Sequence, residues 1–140
     1  PAIVDDADTR QRLIERCGIG ETFAMTEALD AVLLSVGGLP VGSATDRLTP
    51  FSPPTLAELA GQGAVGNVLY NCFDASGRLV DHPLNSRIMS APLANLARAP
   101  ERILASGGAA KVAALRGAMA LMLPTVLITD EATAAALLAQ

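Results

Sequence analysis

Apolar and polar positions follow two periods along this chain, and where each holds predicts an element. Asp8 to Cys17 has helical spacing, with Leu13 and Ile14 on an inner face, Asp8 or Thr9 as N-cap and Gly18 as stop. Thr22 to Leu29 reads as a second, shorter helix. The period then vanishes: Ala31 to Val36 (AVLLSV) is a continuous apolar run, as expected for a strand covered on both faces of a parallel sheet. Gly37-Gly38-Leu39-Pro40 breaks it, and Val41 to Pro54, rich in Gly, Ser, Thr and Pro, predicts a long loop.

Thr55 to Ala60 reads as a helix behind two prolines, and Ala64 to Phe73 as one strand. Asp74-Ala75-Ser76-Gly77 is a turn sequence, with Arg78 to Val80 returning antiparallel. Pro83-Leu84-Asn85 leads into a short strand at Arg87 to Met89. Ser90 is the predicted cap of a helix that holds Ala91 and Pro92 in its first turn and runs to Ala97. Strand and helix then alternate: strand 102–105, helix 109–118, strand 125–128, helix 131–139. Alternation of this kind predicts right-handed β-α-β crossovers, hence an α/β fold with a mostly parallel sheet and flanking helices.

Composition narrows the class. The chain has 140 residues, which suits one domain, and its apolar fraction of 51% with only 3% aromatics requires a core of Ala, Leu and Val. A formal charge of −4, with no basic run longer than two, makes this chain by itself a poor nucleic-acid binder. The longest apolar run falls short of the ~18 residues that cross a bilayer. The start PAIVDD has no signal-peptide pattern, and without an initiator Met it reads as a fragment or a processed chain. Cys17 and Cys72, with no motif around either, read as buried free thiols, which fits a reducing cytoplasm.

Candidate chemistry centres on Glu101 to Met119. An apolar strand, the turn Ser106-Gly107-Gly108 and a helix starting near Ala109 put Lys111 in the first helical turn. A cation there opposes the helix dipole, whereas free N–H groups and a Gly-Gly turn suit an anion. Lys111, Gly107 and Gly108 are therefore candidates for phosphate or carboxylate, against the plainer reading of a Gly-rich turn with a solvated lysine. Gly61-Gln62-Gly63-Ala64-Val65-Gly66 matches G-x-G-x-x-G, but a helix precedes it and a strand follows, the reverse of a dinucleotide fingerprint, so no cofactor is expected. Asn67, next to Gly66, could offer a hydrogen-bonding edge to a hydroxylated ligand, or simply be a turn residue. Arg87 could pair with an anionic ligand or with a carboxylate such as Asp81. His82, the only histidine, reads as a surface loop residue, and neither a metal site nor a Ser43-His82-Asp130 triad has support. Asp130-Glu131 follows a strand and opens a helix, so capping explains both.

Together, GAVGNVLYNCFDASGRLVDHPLNSRIMS, SGGAAKVAALRGAM and VLITDEATAAALL resemble, in order and spacing, the C-terminal effector domain of SorC-type bacterial transcriptional regulators. The resemblance covers nearly the whole chain. It implies a Rossmann-like fold of the ribose-phosphate isomerase and glucosamine-phosphate deaminase type. It implies a phosphorylated sugar as effector, DNA binding only through an N-terminal helix-turn-helix absent here, a homo-oligomer and a cytoplasmic location. It implies Lys111 as an effector-binding lysine and Asn67 as a site residue where Asp or Glu is commoner. The family's Gly-Gly-Thr/Ser phosphate loop is also absent, so the chain is expected to be part of one effector domain. Gly107, Gly108, Gly66, Gly37 and Gly38 are then expected to line the same edge as Lys111, with Arg87 as a further contact. Regulation without catalysis is the expected function; the alternative is a sugar-phosphate isomerase or deaminase on the same fold, with Asp130 or Glu131 as base.

Overall fold

The computed structural model of the chain describes residues 1–39 and 51–139. Most of the predicted loop Val41 to Pro54 lies outside the described residues; Pro53 and Pro54 instead begin a helix. Helix α1 (Ala7–Arg16) starts one residue earlier than expected, because Asp6 and not Asp8 or Thr9 is the cap, its Oδ1 accepting from the Thr9 N–H at 2.7 Å. Gly18, at φ +75°, separates α1 from α2 (Ile19–Ala24), which tightens into a 3₁₀ turn over Met25–Ala28. Strands β1 (Ala31–Leu34) and β2 (Gly37–Gly38) follow. Helix α3 (Pro53–Gly61) is capped by Ser52. Strands β3 (Ala64–Val68) and β4 (Asn71–Asp74), helix α4 (Leu93–Leu96), β5 (Glu101–Ala105), α5 (Val112–Met122), β6 (Val126–Ile128) and α6 (Glu131–Leu138) complete the order.

Two sheets result. The first is parallel in the order β1-β5-β6, with Leu33, Ile103 and Val126 in one row and Leu34, Leu104 and Leu127 in the next. This is the β-α-β arrangement expected from the alternation. Its strands are covered on one face only, however. Val32, Leu34 and Leu104 are buried, while Leu33, Val126 and Ile128 on the other face are 66%, 41% and 56% exposed. The expectation of a doubly covered strand at AVLLSV is corrected accordingly.

The second sheet is antiparallel, in the order β2-β3-β4, and was not expected as such. The Gly37-Gly38 break is itself a short strand, pairing Gly37 with Asn67 and Gly38 with Gly66. The predicted strand Ala64 to Phe73 is a hairpin, turning at Leu69 (φ +49°) and Tyr70 (φ +68°). Two successive positive φ angles suit Asn-Gly, and bulky residues there are strained. Asn71 holds the turn, its Nδ2 donating to the Leu69 carbonyl at 3.0 Å and to Ser90 Oγ at 3.0 Å, while the Tyr70 ring meets Phe51 edge-on. Ser90 is thereby used elsewhere and is not a helix cap; α4 begins only after Pro92. The return at Arg78 to Val80 is a single bridge, Phe73 to Leu79, and the strand predicted at Arg87 to Met89 is a 3₁₀ turn (Pro83–Arg87) followed by one bridge, Ile88 to Ile3.

Helix α5 packs against both sheets and buries Ala114, Leu115, Gly117, Ala118 and Met122. Large apolar side chains such as Leu115 and Met122 each contribute roughly 1.5–3 kcal/mol on burial. A separate cluster joins Phe51, Leu56, Leu59, Cys72, Val80, Leu84 and Ile88 to the N-terminal Ile3. Burial pushes the Cys72 thiol up to about 12, so it is inert, whereas Cys17 is exposed rather than buried. Arg102 ties the end of α5 to the segment before β5: Nε donates to the Leu123 carbonyl at 2.9 Å and Nη1 to the Ala99 carbonyl at 2.6 Å.

The contact between α5 and the antiparallel sheet depends on glycine. A Cβ on Gly66 would lie 2.5 Å from Ala114 Cβ and 2.8 Å from the Gly37 carbonyl oxygen. Gly66→Ala is therefore expected to lower stability by about 1–3 kcal/mol in urea denaturation. Gly61→Ala, at the end of α3 with nothing within 4 Å of the added methyl group, is expected to be neutral or mildly stabilising. Equal effects would refute this packing account.

Candidate functional site

At the carboxyl ends of β1 and β5 the chain brings several of the expected residues together. Lys111 closes a 3₁₀ turn (Ala109–Lys111) and occupies the N-cap position of α5. It is thus one step outside the helix, not in its first turn, and the cation still lies at the positive end of the helix dipole. Gly108, at φ +105°, permits this turn, and its carbonyl accepts the Lys111 N–H at 2.9 Å. The half-buried Lys111 ammonium donates to Ser106 Oγ at 3.4 Å, and Ser106 Oγ donates to the Val36 carbonyl at 3.2 Å. Among the described residues no carboxylate pairs with Lys111. An ammonium has three donors, so this one retains capacity for an acceptor.

Gly38 faces the Lys111 stem: a Cβ there would be 4.0 Å from Lys111 Cγ. Gly37 lies under the Asn67 amide, where a Cβ would be 2.6 Å from Nδ2. The half-buried Asn67 makes no side-chain hydrogen bond among the described residues. Lys111 therefore stands over Gly38 and Asn67 over its neighbour Gly37, and the pleat turns the two side chains to opposite faces of β2.

Three expected site residues are placed differently. Gly66 is buried beneath Ala114 in the middle strand of its sheet, so its part is packing. Arg87 binds neither Asp81 nor the Lys111 edge; its Nε donates to the Val4 carbonyl at 2.7 Å and holds the N-terminal segment to the second cluster. The Gly108 N–H, expected to be open to an anion, is already engaged. It lies 2.8 Å from Asp130 Oδ2 and 2.8 Å from Thr133 Oγ1. A Cβ on Gly107 would collide with the same carboxylate oxygen. Asp130 also caps α6, its Oδ1 accepting the Thr133 N–H at 2.8 Å and its Oδ2 the Thr133 hydroxyl at 2.6 Å. The hydrogen bonds from Thr133, followed by that from Gly108, hold the Asp130 carboxyl below its ordinary value.

His82 is not a surface loop residue. Its side chain is 10% exposed, Nδ1 accepts the Leu84 N–H at 3.1 Å and Nε2 lies 3.1 Å from Glu58 Oε2. No cluster of three metal-ligating side chains occurs among the described residues. G-x-G-x-x-G spans the end of α3 and most of β3, without the strand-to-helix turn of a dinucleotide site. Sequence reasoning missed Ser106 and Thr133, whose side chains meet the Lys111 ammonium and the Gly108 N–H. Thr133 carried a readable signal, since it stands three residues after a capping aspartate. Ser106 carried none. Thr129 Oγ1, buried beside Gly107, has no hydrogen-bond partner among the described residues.

Residues 1–139 match the family described as "Putative sugar-binding domain". The chain is 31% identical over 137 residues to the deoxyribonucleoside regulator of Bacillus subtilis (strain 168), an alignment that covers 98% of this chain and 44% of that protein. It is 28% identical over 141 residues to the erythritol catabolism regulatory protein EryD of Brucella abortus (strain 2308), again covering 44% of the relative. Among solved structures it resembles a DeoR family transcriptional regulator from Listeria monocytogenes, with a TM-score of 0.90 at 22% identity over 99% of this chain and 56% of that one. It resembles the full-length sorbitol operon regulator SorC from Klebsiella pneumoniae with a TM-score of 0.88 at 22% identity, over 98% of this chain and 44% of that one. At these identities the structural likeness shows the fold. The chain spans about half the length of the relatives it matches.

Two expectations follow from the site's hydrogen bonds. Thr129→Val, which removes a buried hydroxyl without a partner, is expected to be neutral or to stabilise by up to about 1 kcal/mol; a lower unfolding midpoint in calorimetry would show that the hydroxyl is satisfied. Asp74 is held at about 2 by the Ser76 hydroxyl and the Arg78 N–H, and Asp130 is also lowered. Carboxyls with depressed folded values stabilise above the ordinary 3.8 and lose that contribution as pH falls towards about 2. The midpoint is therefore expected to fall over that window, and Asp74→Asn to flatten the fall.

Proposed function

This chain belongs to the family of sugar-binding domains carried by transcriptional regulators, and from that membership we propose that it binds a phosphorylated sugar at the Lys111 edge. Occupancy shifts the population of two arrangements of a homo-oligomeric regulator and so changes the grip of a helix-turn-helix, elsewhere in a longer polypeptide, on its operator. Lys111 supplies a charged donor to an anionic or hydroxyl group, and Asn67 pairs with a hydroxyl. Gly37 and Gly38 let the ligand approach the backbone without a Cβ in the way. The single observation that supports this reading is the Lys111 ammonium, which meets only Ser106 Oγ, pairs with no carboxylate among the described residues and stands over the side-chain-free backbone of Gly38.

We place the chain within one larger effector domain. Two facts support that. It spans 44% of the curated relatives. The parallel sheet leaves Leu33, Val126 and Ile128 open, whereas such sheets are ordinarily covered on both faces. The regulator acts in the cytoplasm, by binding and not by turnover. Relatives named as regulators support this, as does Asp130, whose lowered carboxyl, held by Thr133 and Gly108, is a weak base. No helix among the described residues is long and apolar enough to cross a membrane.

The test is a thermal-shift and calorimetric panel of pentose, hexose and polyol phosphates on the full-length gene product. A ligand at about 100 times its Kd adds roughly 2.7 kcal/mol to stability. Lys111→Ala is expected to weaken the best member by about 10- to 100-fold, the value of a charged hydrogen bond. Unchanged affinity would refute the site, and turnover of a panel member would replace regulation with catalysis.

A further inference from the structure

The geometry points to Asp130 as the positioning residue for Lys111, a role that rests on the ligand reading above and extends it across two β-α loops. Four observations carry it. First, Asp130 Oδ2 accepts the Gly108 N–H, so the carboxylate occupies from inside the protein the anion position that the Gly-Gly turn would offer to a ligand. Second, Gly107 must lack a side chain because the loop is wrapped against that same oxygen. Third, Gly108 carries Lys111 directly, since its carbonyl accepts the Lys111 N–H at 2.9 Å and closes the turn that presents the ammonium. Fourth, the other partner of the Gly108 N–H is Thr133, which is 1% exposed and cannot shift without disturbing the start of α6.

A continuous path therefore runs from the buried start of α6 through Asp130 and Gly108 to Lys111. At its far end, Ser106 Oγ accepts from the lysine and donates to Val36. The aspartate does not touch the ligand. It substitutes for an anion that would otherwise compete for the loop, and this leaves Lys111 Nζ, outside ion-pair range of any described carboxylate, as the cation available to phosphate. Specificity follows from the same arrangement. A phosphate at this edge is read by the side chain of Lys111 and not by the Gly108 N–H.

The experiment measures affinity for each member of the sugar-phosphate panel in the full-length protein, at a temperature where circular dichroism shows every variant folded. Asp130→Gly is expected to weaken binding about tenfold, and formate in the millimolar range to restore it by refilling the vacated position. Asp130→Asn keeps one acceptor oxygen where two are used, so a smaller loss is expected; it also decides the matter if Asp130→Gly does not fold. Asp6→Gly removes an equivalent cap from α1, away from the site, and is expected to lower the unfolding midpoint without changing affinity. Wild-type affinity in the Asp130 variants, or an equal loss in Asp6→Gly, would overturn the inference. No binding by the wild-type protein would overturn the ligand reading itself.

Discussion

The close approach of α5 to the antiparallel sheet is the constraint on which the rest of this structure depends. Gly66 and Ala114 bring helix and strand together where any larger pair would collide, and Gly117 does the same against the Phe73 ring. Because α5 also buries Leu115 and Met122 in the cluster shared with Leu34 and Leu104, it fixes the two sheets relative to each other. A chain with 3% aromatics has few large side chains with which to fill a gap, so close contact between small residues replaces bulk. The place of Lys111 over Gly38 follows from this contact, because Gly38 pairs with Gly66 and Lys111 begins α5.

Charge at the strand ends is arranged so that opposite signs do not cancel. Asp130 and Lys111 lie on the two sides of Gly108, yet the carboxylate spends its acceptors on Gly108 and Thr133 and the ammonium reaches only Ser106. A direct ion pair would have neutralised the positive charge at this edge. Hydrogen-bonding the carboxylate to backbone and hydroxyl groups keeps it ionised without using the cation. The result is an edge that offers one uncompensated positive charge beside the bare backbone of Gly38.

Much of the fold could be read from local pattern. The alternation over residues 102–139, the Asp130 cap and the helix-then-strand setting of G-x-G-x-x-G depend on neighbours in sequence, and all three are in the structure, although the helix read from residue 109 begins at Val112. The misreadings share a cause. Leu69-Tyr70 turns although neither residue favours positive φ, because pairing of β3 with β4 and the Asn71 amide outweigh the local strain. Gly37-Gly38 looks like a break and is a strand, because β3 supplies its hydrogen bonds from thirty residues away in sequence. His82 reads as a surface residue and Arg87 as a partner for an anion or Asp81, yet they are engaged by Glu58 and Val4, partners that no local window contains.

The same division runs through the site. Sequence alone determined that a Gly-Gly turn follows a strand and precedes a lysine, and that an aspartate caps the next helix, because turn chemistry and capping act over three or four residues. Only tertiary structure decided what those features do. It assigned the open N–H of Gly108 to Asp130, moved Lys111 out of the helix, set Asn67 over Gly37 and gave Gly66 to packing. Such outcomes depend on which donor meets which acceptor once distant segments are in contact, and a one-dimensional pattern does not encode that competition.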